Sequence, residues 1–403
     1  MNILFLTLLD YRSINQRNIY TDLLRELIKN GHRVYSVSPV ERGKEICSAI
    51  IKEPGSTILK LRIGKTQKTN VVEKGLSTIT IDSIFVKGIK KYYHNLKFDL
   101  VLYSTPPITF YKAVKYVKKR DRAETYLLLK DIFPQNAVDM GMMQKEGLRG
   151  ILYRYFRLKE KKLYRISDRI GCMSQANVEY ILDHNPEVEP EKVEIFPNSV
   201  EPVDTSLSAD ERVLIRKKYG IPVDRIVFIY GGNLGRPQGI DFMLKCLHSQ
   251  RKNRRVFFLI AGNGTEYEKV RHYMEKYKPD NLALYQWLPE KDYEKVAAAC
   301  DVGLIFLDHR FTIPNFPSRI LSYMSAKLPV VACTDPNTDM GKMIQENGFG
   351  WWCESDDIKG FHEIISQCVE QLDQEMGERA LETLRRLYDV REAALGILEG
   401  LKR

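Results

Sequence analysis

Ile226-Val227-Phe228-Ile229-Tyr230-Gly231-Gly232-Asn233-Leu234-Gly235-Arg236-Pro237-Gln238-Gly239-Ile240-Asp241 joins five apolar residues to a glycine-rich turn and the start of a helix. A short apolar run bounded by turn residues reads as a buried strand. Glycines let a backbone approach an anion closely. A helix N-terminus behind them adds unpaired N–H groups and a partial positive charge. Gly232, Asn233, Arg236 and Gln238 are therefore candidate ligands for a diphosphate. The spacing is neither Gly-x-Gly-x-x-Gly nor a P-loop, and a flexible turn with tight packing is the competing explanation.

The same strand–turn–helix grammar recurs downstream. Residues 256–260 run into Ala261-Gly262-Asn263-Gly264, residues 282–285 into a turn holding Leu288 and Pro289, and strands are expected at 302–306 and 330–332. Pro317 suits the first turn of a helix, which would aim the amides near Ser318 and Arg319 at an anion, with the Arg319 guanidinium as a charged donor. The first half alternates likewise, with strands at 2–9, 34–37, 100–103, 126–129 and 170–173, Gly31 closing a helix and Ser174 capping one. The polar, turn-rich stretch 198–222 reads as a linker.

Alternating strands and helices predict parallel sheets covered by helices. The expected α/β architecture is two Rossmann-like domains facing each other across a cleft, at 1–200 and 201–375, with helices at 376–403 returning to the first. Ligands of such sheets bind at the carboxyl ends of the strands. In the first half that places Asp10, Arg12, Asn15 and Gln16, then Ser104 and Thr105, then Lys130, Asp131, Gln135 and Asn136 on the binding side. Asp131 is the best candidate acid or base; an aspartate that fixes its own loop is the competing explanation.

Bulk properties narrow the partners. With 44% hydrophobic and 28% charged residues the chain has a globular composition. The seven cysteines are scattered, with no Cys-x-x-Cys pair and no metal-ligand spacing, as expected of reduced thiols in a cytoplasmic protein. The N-terminus lacks a signal peptide's basic start, and no apolar run approaches the roughly 18 residues of a spanning helix. Residues 1–200 hold 34 lysines and arginines against 22 acids; the remainder holds 28 against 30. A basic half implies an anionic partner such as a membrane surface or a diphosphate, and the basic aromatic stretches 111–120 and 148–165 suit an anionic bilayer. Nucleic acid is not among the expected partners.

Taken in order, the blocks at 226–241, 260–266, 282–289, 301–302 and 324–332, with Phe196-Pro197-Asn198-Ser199 before the linker, resemble glycosyltransferase family 4, the retaining GT-B transferases. Residues 129–138 and 231–239 look like a bacterial capsule and O-antigen branch that includes N-acetyl-L-fucosamine transferases. The resemblance implies a UDP-sugar donor on the second domain, a lipid-linked saccharide acceptor on the first, and no cofactor. Pro314 and Ser322 stand where the family carries two glutamates, Asn233 and Gln238 where it carries an arginine and a lysine, and Lys130 where it often carries a histidine. These departures leave two rivals: a catalytically impaired homologue that binds a nucleotide sugar, and a GT-B epimerase acting on the donor. No Asp-x-Asp triplet occurs, so no metal is expected to grip the donor.

Overall fold

A computed structural model describes residues 1–43, 49–64, 71–147 and 150–401, with residues 71–79 and Glu290 described by backbone alone. One of the seven cysteines, Cys47, and the first two residues of the 148–165 stretch lie outside the described residues. The chain forms two compact units, Met1–Glu201 with the segment from Val390 onward, and Pro202–Asp389.

The first unit comprises β1 (Asn2–Leu6), α1 (Ile19–Lys29), β2 (Arg33–Glu41), β3 (Ile50–Glu53), β4 (Ser56–Ile63), α2 (Val71–Tyr92), β5 (Leu100–Ser104), α3 (Tyr111–Asp121), β6 (Glu124–Leu129), α4 (Gln135–Asp139), α5 (Gly150–Ile166), β7 (Arg169–Cys172), α6 (Gln175–His184) and β8 (Val193–Ile195). Its sheet runs β3-β4-β2-β1-β5-β6-β7-β8, parallel throughout except for the β3–β4 hairpin. β1 and β5 are buried on both faces, which is why they read as unbroken apolar runs. Asn18 caps α1 by accepting from the amides of Tyr20 and Thr21 at 3.0 Å, and Gly31 follows the helix at φ +85°, where a side chain would be strained. Ser174 does sit at the N-cap of α6, but its hydroxyl bonds Asn177 rather than an amide of the first turn.

The second unit comprises α7 (Ala209–Lys218), β9 (Ile226–Asn233), α8 (Ile240–Ser249), β10 (Val256–Asn263), α9 (Tyr267–Tyr277), β11 (Leu282–Tyr285), α10 (Glu290–Ala298), β12 (Val302–Phe306), α11 (Arg319–Ser325), β13 (Val330–Thr334), α12 (Met340–Glu346), β14 (Gly350–Glu354), α13 (Ile358–Gln371) and α14 (Gln374–Leu387). The sheet order is β11-β10-β9-β12-β13-β14, all parallel. In each sheet the order reverses beside one strand, β1 in the first and β9 in the second. A crevice for ligands opens at the carboxyl end of such a strand, where the loops on its two sides diverge.

The expected return of residues 376–403 to the first domain needs correction. α14 stays with the second unit. Its apolar stripe of Met376, Ala380, Leu381 and Leu384 is buried, a Cβ at Gly377 would overlap the Lys327 carbonyl oxygen, and Arg379 Nε donates to the Gly348 carbonyl at 2.6 Å. Only α15 (Val390–Gly400) joins the first unit. Val390, Ala394 and Ile397 are buried in one cluster with Leu23, Leu24 and Leu27 of α1, and Arg169 donates to the Ile397 carbonyl at 3.1 Å. Ile397→Ala is expected to destabilise the first unit by about 2–5 kcal/mol, the cost of a large-to-small change in a core. Urea unfolding measures this, and an unchanged midpoint would mean that α15 is not part of that core.

Candidate functional site

The second unit's site lies at the carboxyl end of β9. β9 runs on through Gly231, Gly232 and Asn233, still in register with Ala261, Gly262 and Asn263 of β10. A Cβ at Gly231 would overlap the Tyr293 hydroxyl, one at Gly262 the Gly232 carbonyl oxygen, and one at Gly264 the Leu234 carbonyl oxygen. Tight packing therefore accounts for these three glycines. Gly232 differs: its φ of +122° excludes side chains, and what faces it is Arg319, 3.5 Å from the place a Cβ would take.

Arg319 opens α11 from a setting of tyrosines. Its guanidinium lies 4.4 Å from the centre of the Tyr230 ring. Tyr323 is locked beneath, its hydroxyl accepting from the Gly231 amide and shared between the Ile229 and Leu304 carbonyls, each at 3.2 Å. Burial pushes the Tyr293 phenol up to about 12, so it stays neutral. No carboxylate pairs with Arg319 among the described residues, and its enclosed Nη1 has no hydrogen-bond partner there. A guanidinium keeps its charge at any working pH. The arrangement is thus a cation lacking an anion, set against a bare stretch of backbone.

The other donor-side candidates are placed less centrally. Asn233 Nδ2 donates to Gln238 Oε1 at 3.2 Å, and the Gly235 amide donates to the same oxygen at 3.1 Å, so both side chains brace the turn. Arg236 is exposed, with Glu266 3.7 Å away. Leu288 is half-buried beyond β11, and Ser322 is exposed on α11. Pro317 precedes the helix instead of opening it, because α11 starts at Arg319 with Ser318 as its N-cap. The amides of Ile320 and Leu321 are already taken by the carbonyls of Pro317 and Ser318. The side chain of Arg319, more than the short helix's end, is what this segment offers an anion.

In the first unit, the loops after β5 and β6 are tied through Thr105, whose Oγ1 accepts from the amides of Lys130 (3.0 Å) and Asp131 (3.1 Å) and donates to the Asp131 carbonyl. Lys130 turns inward: Nζ donates to the Phe196 carbonyl at 3.0 Å beside a small recess lined by Tyr20, Leu128, Phe196 and Asn198. Burial lowers its pKa to about 7. Asp131 accepts from Asn136 Nδ2 at both carboxylate oxygens, 2.7 and 2.8 Å. Burial raises its pKa to about 6, against the opposing effect of that bond. Ser104 is buried beside Tyr20, and Gln135 is engaged with Asp139 at 2.6 Å.

The loop after β1 is held by residues that the sequence reading did not single out. Lys60 of β4, only 4% exposed, donates to Asp10 Oδ1 (2.8 Å), the Tyr11 carbonyl (2.9 Å) and Ser38 (2.7 Å). Glu53 of β3 accepts from the Ser13 hydroxyl and the Ile14 amide. Asp10 is thereby a structural anchor, and Arg12, Asn15 and Gln16 form the exposed part of a loop gripped by the hairpin. The one signal for Lys60 was a lysine alternating inward within an apolar strand.

Comparison with known proteins agrees with this geometry. Residues 211–383 match the family described as Glycosyl transferases group 1. The Pseudomonas aeruginosa protein named "Probable glycosyltransferase WbjE" is 25% identical over 313 residues, 76% of this chain and 74% of that protein. Sucrose-phosphate synthase from Thermosynechococcus elongatus superposes with a TM-score of 0.78 at 13% identity, over 100% of this chain and 98% of its own. Anabaena HepE, solved in complex with UDP, does so with a TM-score of 0.70 at 14% identity, over 100% of both chains. The fold is GT-B, and most of the second unit, residues 211–383, matches a group 1 glycosyl transferase domain.

The Asp131 environment has a direct check. Followed by carbon NMR, its carboxyl should titrate at about 6. Because the Asn136 bonds favour the charged form, Asn136→Ala should move the midpoint higher. A midpoint at the ordinary value of about 4 in both proteins would contradict the enclosed setting.

Proposed function

We propose that a protein with this GT-B fold and group 1 domain is a retaining, metal-independent glycosyltransferase. It moves a sugar from a UDP-sugar bound by the second unit to a lipid-linked saccharide bound by the first, in bacterial capsule or O-antigen synthesis at the cytoplasmic face of the membrane. The observation that carries the reading is Arg319, a guanidinium with an unpartnered Nη1 beside Gly232 at the point where the second sheet reverses order. A diphosphate leaving group develops negative charge as the sugar departs, and a cation fixed in advance stabilises that charge without reorganisation. The UDP bound by Anabaena HepE supports the choice of nucleotide. The likeness of residues 129–138 and 231–239 to N-acetyl-L-fucosamine transferases supports UDP-N-acetyl-L-fucosamine as donor.

Arg319 takes over the work of the family's arginine and lysine, whose places hold the turn-bracing Asn233 and Gln238. On the acceptor side, Asp131 with its raised pKa is the group suited to proton transfer. Lys130 sets the position of the 196–199 segment through the Phe196 carbonyl. The same pairing of Asn233 with Gln238 favours a second reading, a nucleotide-sugar-binding homologue without transfer. Release of UDP that depends on added acceptor separates the two.

Arg319→Ala should weaken UDP binding by about 1–3 kcal/mol in calorimetry, the range for losing a charged hydrogen bond. Unchanged affinity would remove Arg319 from the site. Transfer should also persist in EDTA, since the leaving group's charge is met by a side chain; loss in chelator, restored by Mg2+ or Mn2+, would contradict the metal-independent mechanism.

A further inference from the structure

α5 carries apolar side chains where a surface helix should be polar. One face buries Phe156, Glu160, Leu163 and Tyr164. On the opposite face, seven residues apart and therefore aligned, Ile151 is 58% exposed and Leu158 60% exposed. The exposed Arg154, Lys162 and Arg165 share that face by helical spacing. The helix's one acid, Glu160, is buried and held by Arg157 and Tyr164, so it offsets none of the outer charge. α3 packs alongside α5 and adds exposed Lys115 and Lys119, while its own Asp121 is buried against Arg120.

We propose that this α3–α5 face is a docking surface for an anionic lipid bilayer, with Ile151 and Leu158 entering the headgroup region and the surrounding cations resting on lipid phosphates. Apolar side chains ringed by lysine and arginine, with no exposed acid on the helix, are the pattern of a helix lying in the membrane interface. A protein groove would be expected to cover such a pair without needing cations on every side. Among the described residues no helix is long and apolar enough to cross a membrane, so the attachment is peripheral and reversible. The docking gives a purpose to the lipid-linked acceptor of the proposed function and rests on it only for that purpose, because it is measured without donor or acceptor.

The test is co-sedimentation of the full chain with phosphatidylglycerol–phosphatidylcholine vesicles at low salt. The protein should pellet, and should be released as salt rises and screening shortens. Replacing Arg154, Lys162 and Arg165 together by glutamine should lower partitioning about a hundredfold, each cation near such a surface being worth about 1 kcal/mol. Ile151→Asn and Leu158→Asn should each lower it about tenfold. All these positions are exposed, so circular dichroism should be unchanged. Protein that stays in the supernatant, or variants that bind like the parent, would overturn the proposal. So would equal binding to vesicles of phosphatidylcholine alone. Self-association that Leu158→Asn abolishes, without vesicle binding, would instead assign the face to a second copy of the chain.

Discussion

Where β9 and β10 run on beyond their apolar cores, no side chain fits at Gly231, Gly262 or Gly264. Gly262 presses on the Gly232 carbonyl, and Gly264 on that of Leu234. This bare strip is the constraint on which the site depends. It keeps the two strands paired through Gly231, Gly232 and Asn233, past the apolar run of β9, and the missing Cβ at Gly231 is the space that the Tyr293 ring occupies. With Tyr293 seated and Tyr323 bonded to the Gly231 amide, Arg319 is confined to a position over Tyr230. A methyl group at Gly231 would displace the Tyr293 ring, whereas one at Gly262 or Gly264 would push the strip's own backbone apart.

The energetics of that guanidinium point outward. Removing a cation from water costs several kcal/mol even after relaxation, whereas a cation lying on an aromatic face recovers about 0.5–2 kcal/mol. The tyrosines hold the half-buried Arg319 in place but do not offset the enclosure of its Nη1. A bound anion would, which is why an arginine without a carboxylate at a strand's carboxyl end reads as a site and not as part of the core. Lys130 in the first unit shows the opposite solution. It too is half-buried, yet it gives a hydrogen bond to the Phe196 carbonyl and has its pKa lowered to about 7, so it can shed its charge instead of waiting for a partner.

How much of this was legible depended on whether the physics was local. The two parallel sheets follow from apolar runs such as 2–6 and 226–230 between helical patterns, and the glycine turns announced the carboxyl end of β9. The division of the C-terminal helices was not legible: α14 and α15 both show an apolar stripe, and a stripe says that a helix is covered without saying by what. Likewise Asn233 and Gln238 looked like ligands in the sequence, but a hydrogen bond between them depends on a turn geometry that composition does not encode. Asp10 looked available because its partner, Lys60, lies 50 residues away on a different strand.

Whether Arg319 is the cation of a diphosphate site at the carboxyl end of β9 is decided by a crystal structure of the protein with UDP. A diphosphate oxygen should lie within about 3 Å of Arg319 Nη1, on the Gly232 side of the guanidinium. UDP bound elsewhere, with Arg319 still enclosed by Tyr230, Tyr293 and Tyr323 and touching no phosphate, would contradict it.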